Sequence, residues 1–302
     1  MAGSQDFEVD PRNETALVWL NGELVRRADA KVSLFDAGFG MGDGVWEGLR
    51  LHRGRLLFLG DHLDRLFAGA RAIGLDIGMT PAEITDALDA TLIANAMSDG
   101  VHVRLMVTRG IKSTISQDPR NALGKPTIAI TAEHKQPAVG NVDHGLRLAT
   151  VSVRCTPASM FDMRLNSHSR LNLITALLEA IAAGADEALM LDPDGRVSSC
   201  NATNFFFVGG GEVLTSTGEF CFNGVTRARV IELCRSNDMP LHLGAFALDA
   251  ARGADEAFVT GTMGGITPVR QIDGALMPAC PGPITQRLRA LYEALKDADA
   301  AR

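Results

Sequence analysis

The 302-residue sequence predicts a mixed α/β protein of two domains, and three observations carry that reading. Short apolar runs bounded by Gly, Asn and Asp turns alternate with stretches of helical spacing. Hydrophobic residues make up 46% of the chain, ample for a buried core at this length. Near the middle, EHKQPAVGN from Glu133 to Asn141 has the composition of a linker. The expected organisation is a smaller N-terminal domain over residues 1–134, a linker over 135–141 and a larger C-terminal domain over 142–302.

Charge narrows the function. The formal net charge is -7 and no long basic run exists, which argues against a nucleic-acid surface, since phosphate backbones need clustered Lys and Arg. No 18-residue apolar span is present and the first residues, MAGSQDFEVDPRNET, are polar, so neither a membrane span nor a secretory signal is expected and the reading is cytoplasmic. The five cysteines are scattered without CxxC spacing and read as buried reduced thiols, not as a metal site or a disulfide framework. Small-molecule chemistry remains.

In the N-terminal part, Ala16–Leu20, Asn21-Gly22 and Glu23–Arg26 read as a hairpin with a two-residue turn. Gly38, Gly40, Gly42 and Gly44 alternate; without a P-loop Lys-Ser/Thr ending they point to close backbone packing more than to a phosphate cradle. A second hairpin turns at Arg53-Gly54, and a helix follows from near Asp61 to about Ile73. Arg65 is the odd charge among Leu63, Leu66 and Phe67, either a surface residue or a guanidinium fixed to receive an anion. Pro81 opens a helix to about Met97; strands follow at Val101–Thr108, carrying Arg104 and ending at Arg109, and at Thr127–Ala132.

The C-terminal part opens on a strand at Gly145–Val153 and centres on Arg164–Val208. There Leu171, Ile174, Leu177, Leu178 and Ile181 fall at helical spacing, Gly184 is the stop, and Glu187–Leu191 is a strand. After the Asp192–Gly195 turn, Asn201, Thr203 and Asn204 form a polar rim before the apolar strand Phe205–Val208; the two asparagines either orient a polar group or serve the turn. Short strands are expected at Glu212–Thr215 and Phe220–Phe222. Asn223-Gly224-Val225-Thr226-Arg227 stands at a helix start, where free N–H groups and the macrodipole favour an anion. Thr260–Gly265 follows the strand Glu256–Val259 with small residues that let backbone approach a ligand. Either alone is an ordinary cap or turn; together they suggest a bound phosphate.

DGVWEGLRL from Asp43, DHLDRL from Asp61, GADEALMLD from Gly184, NGVTR from Asn223 and DEAFVTGTMGGITPVRQIDG from Asp255 resemble, in this order, the fold-type IV (class IV) aminotransferases. That family includes branched-chain and D-amino-acid aminotransferases and aminodeoxychorismate lyase. The resemblance runs from about Leu17 to the end of the sequence. It implies a two-domain α/β fold of the D-amino-acid aminotransferase type, with a ligand cleft between the domains of a homodimer. It also implies pyridoxal 5′-phosphate or pyridoxamine 5′-phosphate as cofactor and a small anionic amino or keto acid as substrate. Arg65, Val225, Thr226, Gly261 and Thr262 match positions that hold the cofactor phosphate; Trp46, Arg104 and Arg109 match positions that face the substrate.

The chemistry does not transfer residue by residue. Counting back from Glu179-Ala180, the position of the lysine that binds the cofactor aldehyde holds Asn166; that of the carboxylate on the pyridine nitrogen holds Ser199; that of the tyrosine near the ring oxygen holds Leu171. The lysines are Lys31, Lys112, Lys125, Lys135 and Lys296, none of them near this stretch. Loss of general-base help alone is typically worth about 100- to 10,000-fold, and a neutral serine would leave the ring a poorer electron sink.

If residues 166–170 are extended, Asn166, His168 and Arg170 share one side. His168 is then either a general acid or base or a hydrogen-bonded structural histidine. Arg164 and Arg170 with Arg65 would make the pocket cationic. Three functions follow: an aminotransferase-like enzyme holding its cofactor noncovalently, with His168 moving the proton; a cofactor-independent lyase or hydrolase in the old cleft; or a non-catalytic binder of a phosphorylated ligand.

Overall fold

The computed structural model describes residues 7–137 and 144–302, so residues 138–141 of the expected linker lie outside the described residues. The chain divides into two compact units. One comprises Val9–Gln136, Leu165–Arg170 and Asp299–Arg302; the other is built mainly from Pro137–Arg164 and Leu171–Ala298. The excursion of Leu165–Arg170 into the first unit is a departure from two sequence-contiguous domains.

The first unit is a six-stranded antiparallel sheet in the order β2-β1-β6-β5-β3-β4. Its strands are β1 (Leu17–Leu20), β2 (Glu23–Arg26), β3 (Gly44–His52), β4 (Arg55–Leu56), β5 (Val101–Thr108) and β6 (Thr127–His134). Positive φ at both Asn21 and Gly22 closes the first hairpin as the Asn-Gly pair demands. Val101, Val103, Leu105 and Val107 are sealed on one face, packed with Leu63 and Leu66 of α2 (Leu59–Ala72) and Ile84 and Leu88 of α3 (Pro81–Ala94). By alternation, Trp46, His102 and Arg104 lie on the other face. The glycine run makes no phosphate loop. It forms the short helix α1 (Ala37–Met41) and then the start of β3, where a side chain at Gly44 would collide with the Val107 carbonyl oxygen.

Residues 166–168 pair with the free edge of β3 at its start. The Trp46 N–H donates to the Asn166 carbonyl at 3.0 Å, the His168 N–H to the Gly44 carbonyl at 3.0 Å, and Ser169 Oγ to the Gly42 carbonyl at 3.1 Å. Ser167 thus forms an antiparallel bridge with Val45, and the chain bends at His168, so the segment is not a continuous strand over 166–170.

The second unit is a mixed sheet in the order β12-β11-β10-β13-β14-β7-β8-β9, with β15 beside β14. Its strands are β7 (Leu146–Arg154), β8 (Glu187–Leu191), β9 (Val197–Cys200), β10 (Asn204–Gly209), β11 (Glu212–Ser216), β12 (Leu241–Gly244), β13 (Glu256–Gly261), β14 (Gly265–Ile272) and β15 (Ala275–Leu276). Around it stand the helices α4 (Leu171–Ala182), α5 (Val225–Ser236), α6 (Leu248–Arg252) and α7 (Pro283–Ala300). In β10 the run of phenylalanines is buried on both faces: Phe205 stacks with Phe207, and Phe206 stacks on Phe258 with centroids 5.0 Å apart.

Two expectations change. Phe220–Phe222 is not a strand, because side chains take its carbonyls: Asn204 Nδ2 donates to the Phe222 oxygen at 2.6 Å and Ser198 Oγ to that of Phe220. In α4 the small residues Ala176 and Ala180 are fully buried against the sheet, and Leu171, Ile174, Leu178 and Ile181 face outward. Small side chains allow the closer helix approach, and the aliphatic stripe is left on the surface.

The start of α7 is held from below by Glu256, whose buried carboxylate accepts from the N–H groups of Ile284 and Thr285 and from Thr285 Oγ1. Hydrogen bonds to a charged group contribute about 1.5–3 kcal/mol each. Glu256→Ala should lower stability by about 2 kcal/mol or more in urea unfolding, with Glu256→Gln recovering part of the loss.

Candidate functional site

On the open face of the six-stranded sheet, two guanidinium groups meet one indole. Arg104 lies 4.0 Å and Arg170 5.4 Å from the Trp46 ring centroid. The indole N–H donates to the Ser167 carbonyl at 3.1 Å, which fixes the ring plane. Arg170 donates through Nε to the same carbonyl at 2.9 Å and through Nη2 to Asn166 Oδ1, while Asn166 Nδ2 donates to the Trp46 carbonyl. Asn166 is only 5% exposed and both ends of its carboxamide are engaged. Its carboxamide thus ties the Trp46 backbone to Arg170.

Electrostatics follow from this crowding. Burial and then the neighbouring Arg104 and Arg65 pull the Arg170 guanidinium down to about 10, so it still carries its charge at neutral pH. Burial lowers Arg104, which makes no hydrogen bond or ion pair at bonding distance with the described residues. Burial, with Arg104 next, lowers His168 and keeps its imidazole neutral near pH 7; its Nε2 is buried without a partner. Two guanidinium groups close to one indole ring form a cationic locality that could receive an anion.

Arg65, expected at the cofactor phosphate, is also part of a buried ionic cluster. Its Nε and Nη2 clamp the fully buried Glu47 at 2.8 and 2.5 Å, and His62 Nδ1 lies 2.7 Å from the same carboxylate. Burial drives Glu47 upward, but the Arg65 and His62 hydrogen bonds outweigh it and hold the carboxyl below its ordinary value. Arg109, expected to face substrate, is instead a clamp: it chelates Asp43 and donates to the carbonyls of Ile73 and Gly74. Arg164, also expected there, belongs to the other unit, with half its side chain exposed and bidentate to Asp162. Leu171 is 75% exposed on the outer side of α4.

The second unit gathers the phosphate-type positions. Asn204 is the hub: Nδ2 donates to Ser199 Oγ at 3.1 Å and to the Phe222 carbonyl, and Oδ1 accepts from the Gly224 N–H at the N-cap of α5. Ser199 Oγ also donates to the Thr203 carbonyl at 2.9 Å. The first N–H groups of α5, from Val225 and Thr226, have no intrahelical acceptors. Gly261 stands 3.4 Å, at the position of its absent Cβ, from Thr203, and Thr262 sits on the β13–β14 turn. Tyr292 joins the two loops, packing on Gly265 and placing its hydroxyl 3.5 Å from Thr226 Oγ1. Thr260 Oγ1 is buried and unpartnered at the end of β13. A helix start whose first N–H groups have no intrahelical acceptors, and a buried unsatisfied hydroxyl in the same unit, are features suited to a phosphate. Asn201 serves the fold, accepting from the Ala188 N–H.

Glu47, His62 and Tyr292 were not singled out by sequence. A signal existed for the first: Glu47 sits on the core parity of β3, between Val45 and Leu49, and His62 and Arg65 are one helical turn apart on α2.

Residues 44–272 match the family model "Amino-transferase class IV". The branched-chain-amino-acid aminotransferase-like protein 2 of Arabidopsis thaliana is 40% identical over 95% of this chain, which spans about half (51%) of that relative's length. A putative branched-chain-amino-acid aminotransferase of Methanocaldococcus jannaschii is 37% identical, over 92% of this chain and 96% of the relative. Among solved structures, the branched-chain amino acid aminotransferase of Thermobaculum terrenum in its PLP-form superposes with a TM-score of 0.82 at 25% identity, covering 96% of this chain and 95% of that one. The fold is the same. Among the described residues no helix is long and apolar enough to cross a membrane, and no cluster of metal-ligating side chains occurs.

His102, on the open face two residues before Arg104, is 9% exposed with Nδ1 unpartnered, and burial followed by Arg104 and Lys135 depresses it to about 3. A depressed folded pKa gives stability that is full above the unfolded value near 6.5 and lost as pH falls toward 3. Acidification from pH 7 to pH 5 should cost about 2 kcal/mol through this residue. His102→Phe should flatten that part of a urea-unfolding pH series.

Proposed function

Since this chain belongs to the class IV aminotransferase family, we propose that it binds pyridoxal or pyridoxamine 5′-phosphate without a covalent link and acts on a small amino or keto acid, with ordinary transamination strongly impaired. One observation carries the proposal: no lysine occurs between Lys135 and Lys296, the whole stretch in which the family's motifs surround residue 166. In our register the amine is replaced by the Asn166 carboxamide, already committed to the Trp46 carbonyl and to Arg170.

In this reading Val225, Thr226, Gly261 and Thr262 are the phosphate-binding positions of the second unit, and Arg104 and Arg170 are carboxylate-binding groups of the first. When bound, the cofactor supplies an electron sink; Ser199, neutral and hydrogen-bonded to Thr203 and Asn204, would not hold its ring nitrogen protonated. The unpartnered His168 Nε2 is the group that could take up a proton, its imidazole being neutral. The outward stripe of Leu171, Ile174, Leu178 and Ile181 supports the expected homodimer, since an apolar patch on a helix face is best covered by another subunit.

Added pyridoxal 5′-phosphate should give a saturable spectral change, the chromophore should leave on gel filtration, and borohydride treatment followed by mass spectrometry should show no cofactor-modified residue. A lysine adduct anywhere would remove the noncovalent reading. No spectral response would favour the lyase, hydrolase or binding-protein alternatives. Independently, light scattering should report a dimer, and Ile174→Asp with Leu178→Asp should shift it toward monomer without loss of far-ultraviolet circular dichroism; an unchanged dimer would place the interface elsewhere.

A further inference from the structure

The first unit contains a cavity of about 750 Å³ beside the Asn21-Gly22 turn, within the range of roughly 300–1,000 Å³ typical of small-molecule sites. It lies on the helix side of the sheet. Trp19, which lines it, pairs with Ile130, and Ile130 in turn with Leu105, a residue of the sealed face opposite Arg104. The cavity is thus separate from the Trp46 cluster.

Its walls are apolar where Trp19, Ile77, Met79 and Ile128 form them, and no acidic residue contributes. Lys125, Asn21, Thr127 and the Trp19 indole N–H are the polar groups of the lining. Lys125 is exposed and makes no ion pair with the described residues. Asn21 is held by the Ile128 N–H, which donates to its Oδ1 at 2.8 Å and leaves its amide nitrogen as a donor. The Trp19 indole N–H finds no acceptor among the described residues, unlike that of Trp46, which is bonded to Ser167. One cation and the neutral donors of Asn21, Trp19 and Thr127 in a largely apolar, solvent-open pocket are complementary to a single carboxylate on a hydrocarbon body.

We infer that this cavity is a second, non-catalytic ligand site that binds an apolar monocarboxylate, with Lys125 at the carboxylate and Trp19, Ile77 and Met79 around the hydrocarbon. The inference stands apart from the proposed function, because no residue of the Trp46 cluster or the phosphate seat lines the cavity.

The protein has two tryptophans, so Trp46→Phe leaves Trp19 as the sole indole reporter. Hexanoate, with 1-hexanol as the neutral control of equal chain length, is titrated against its emission. The expected result is a saturable change with hexanoate at about millimolar concentration and a much weaker one with hexanol. Lys125→Glu should raise the apparent Kd about tenfold or more, and Arg104→Ala should leave it unchanged. Absence of a saturable signal would overturn the proposal, as would sensitivity to Arg104→Ala with indifference to Lys125→Glu. Should Lys125→Glu fail to fold, Lys125→Gln carries the same comparison.

Discussion

The open face of the first sheet depends on one short piece of backbone pairing, that of Asn166–His168 along Gly44–Trp46. Leu165–Arg170 comes from the far side of the linker in sequence, yet it packs as part of the N-terminal sheet. Without a Cβ at Gly44, β3 can sit between the Val107 carbonyl on one side and the His168 ring on the other. The pairing holds the Ser167 carbonyl where it receives both the Trp46 indole and Arg170 Nε. Thus this backbone register helps place Arg170 beside the Trp46 ring that Arg104 also approaches.

The second unit uses the complementary device. Asn204, at the head of β10, ties three different segments together through its side chain: β9 through Ser199, the Phe222 carbonyl, and the N-cap of α5 through Gly224. A carboxamide can do this because it offers two donors and two acceptor lone pairs in one plane. Its consequence is a helix start whose first N–H groups remain free and whose position is set by the sheet. A phosphate is a natural partner for such a start, and the buried, unsatisfied Thr260 hydroxyl stands on the next strand of the same sheet.

Much of this was legible in the sequence because it rests on local rules. Asn21-Gly22 dictated its turn, β5 and β8 followed from their apolar runs, and NGVTR announced a helix start. What was not legible depends on tertiary pairing. Sequence gives the charge of Arg109 and Arg164 but not their partners, which in the fold are Asp43 and Asp162. The Glu47–Arg65–His62 triad was visible only in halves, one on a strand and one on a helix. The periodicity of α4 identified a helix, but Ala176 and Ala180 turned inward because small side chains suit close contact with the sheet. Phe220–Phe222 has a strand's composition and loses the strand to side-chain hydrogen bonds.

Asn166 and Arg170 are joined through their side chains. The Asn166 oxygen accepts from Arg170, so the carboxamide both fills a buried position without charge and gives the guanidinium a neutral partner. An ammonium at residue 166 would remove that acceptor and add a third positive group beside Arg170 and Arg104, in a place where burial already pulls both guanidinium groups down. Like charges in a desolvated setting repel strongly, and a lysine there would be forced toward its neutral form or expelled. A permanent cation held in place by hydrogen bonds can bind an anion, but it cannot serve as the nucleophile that an amine provides.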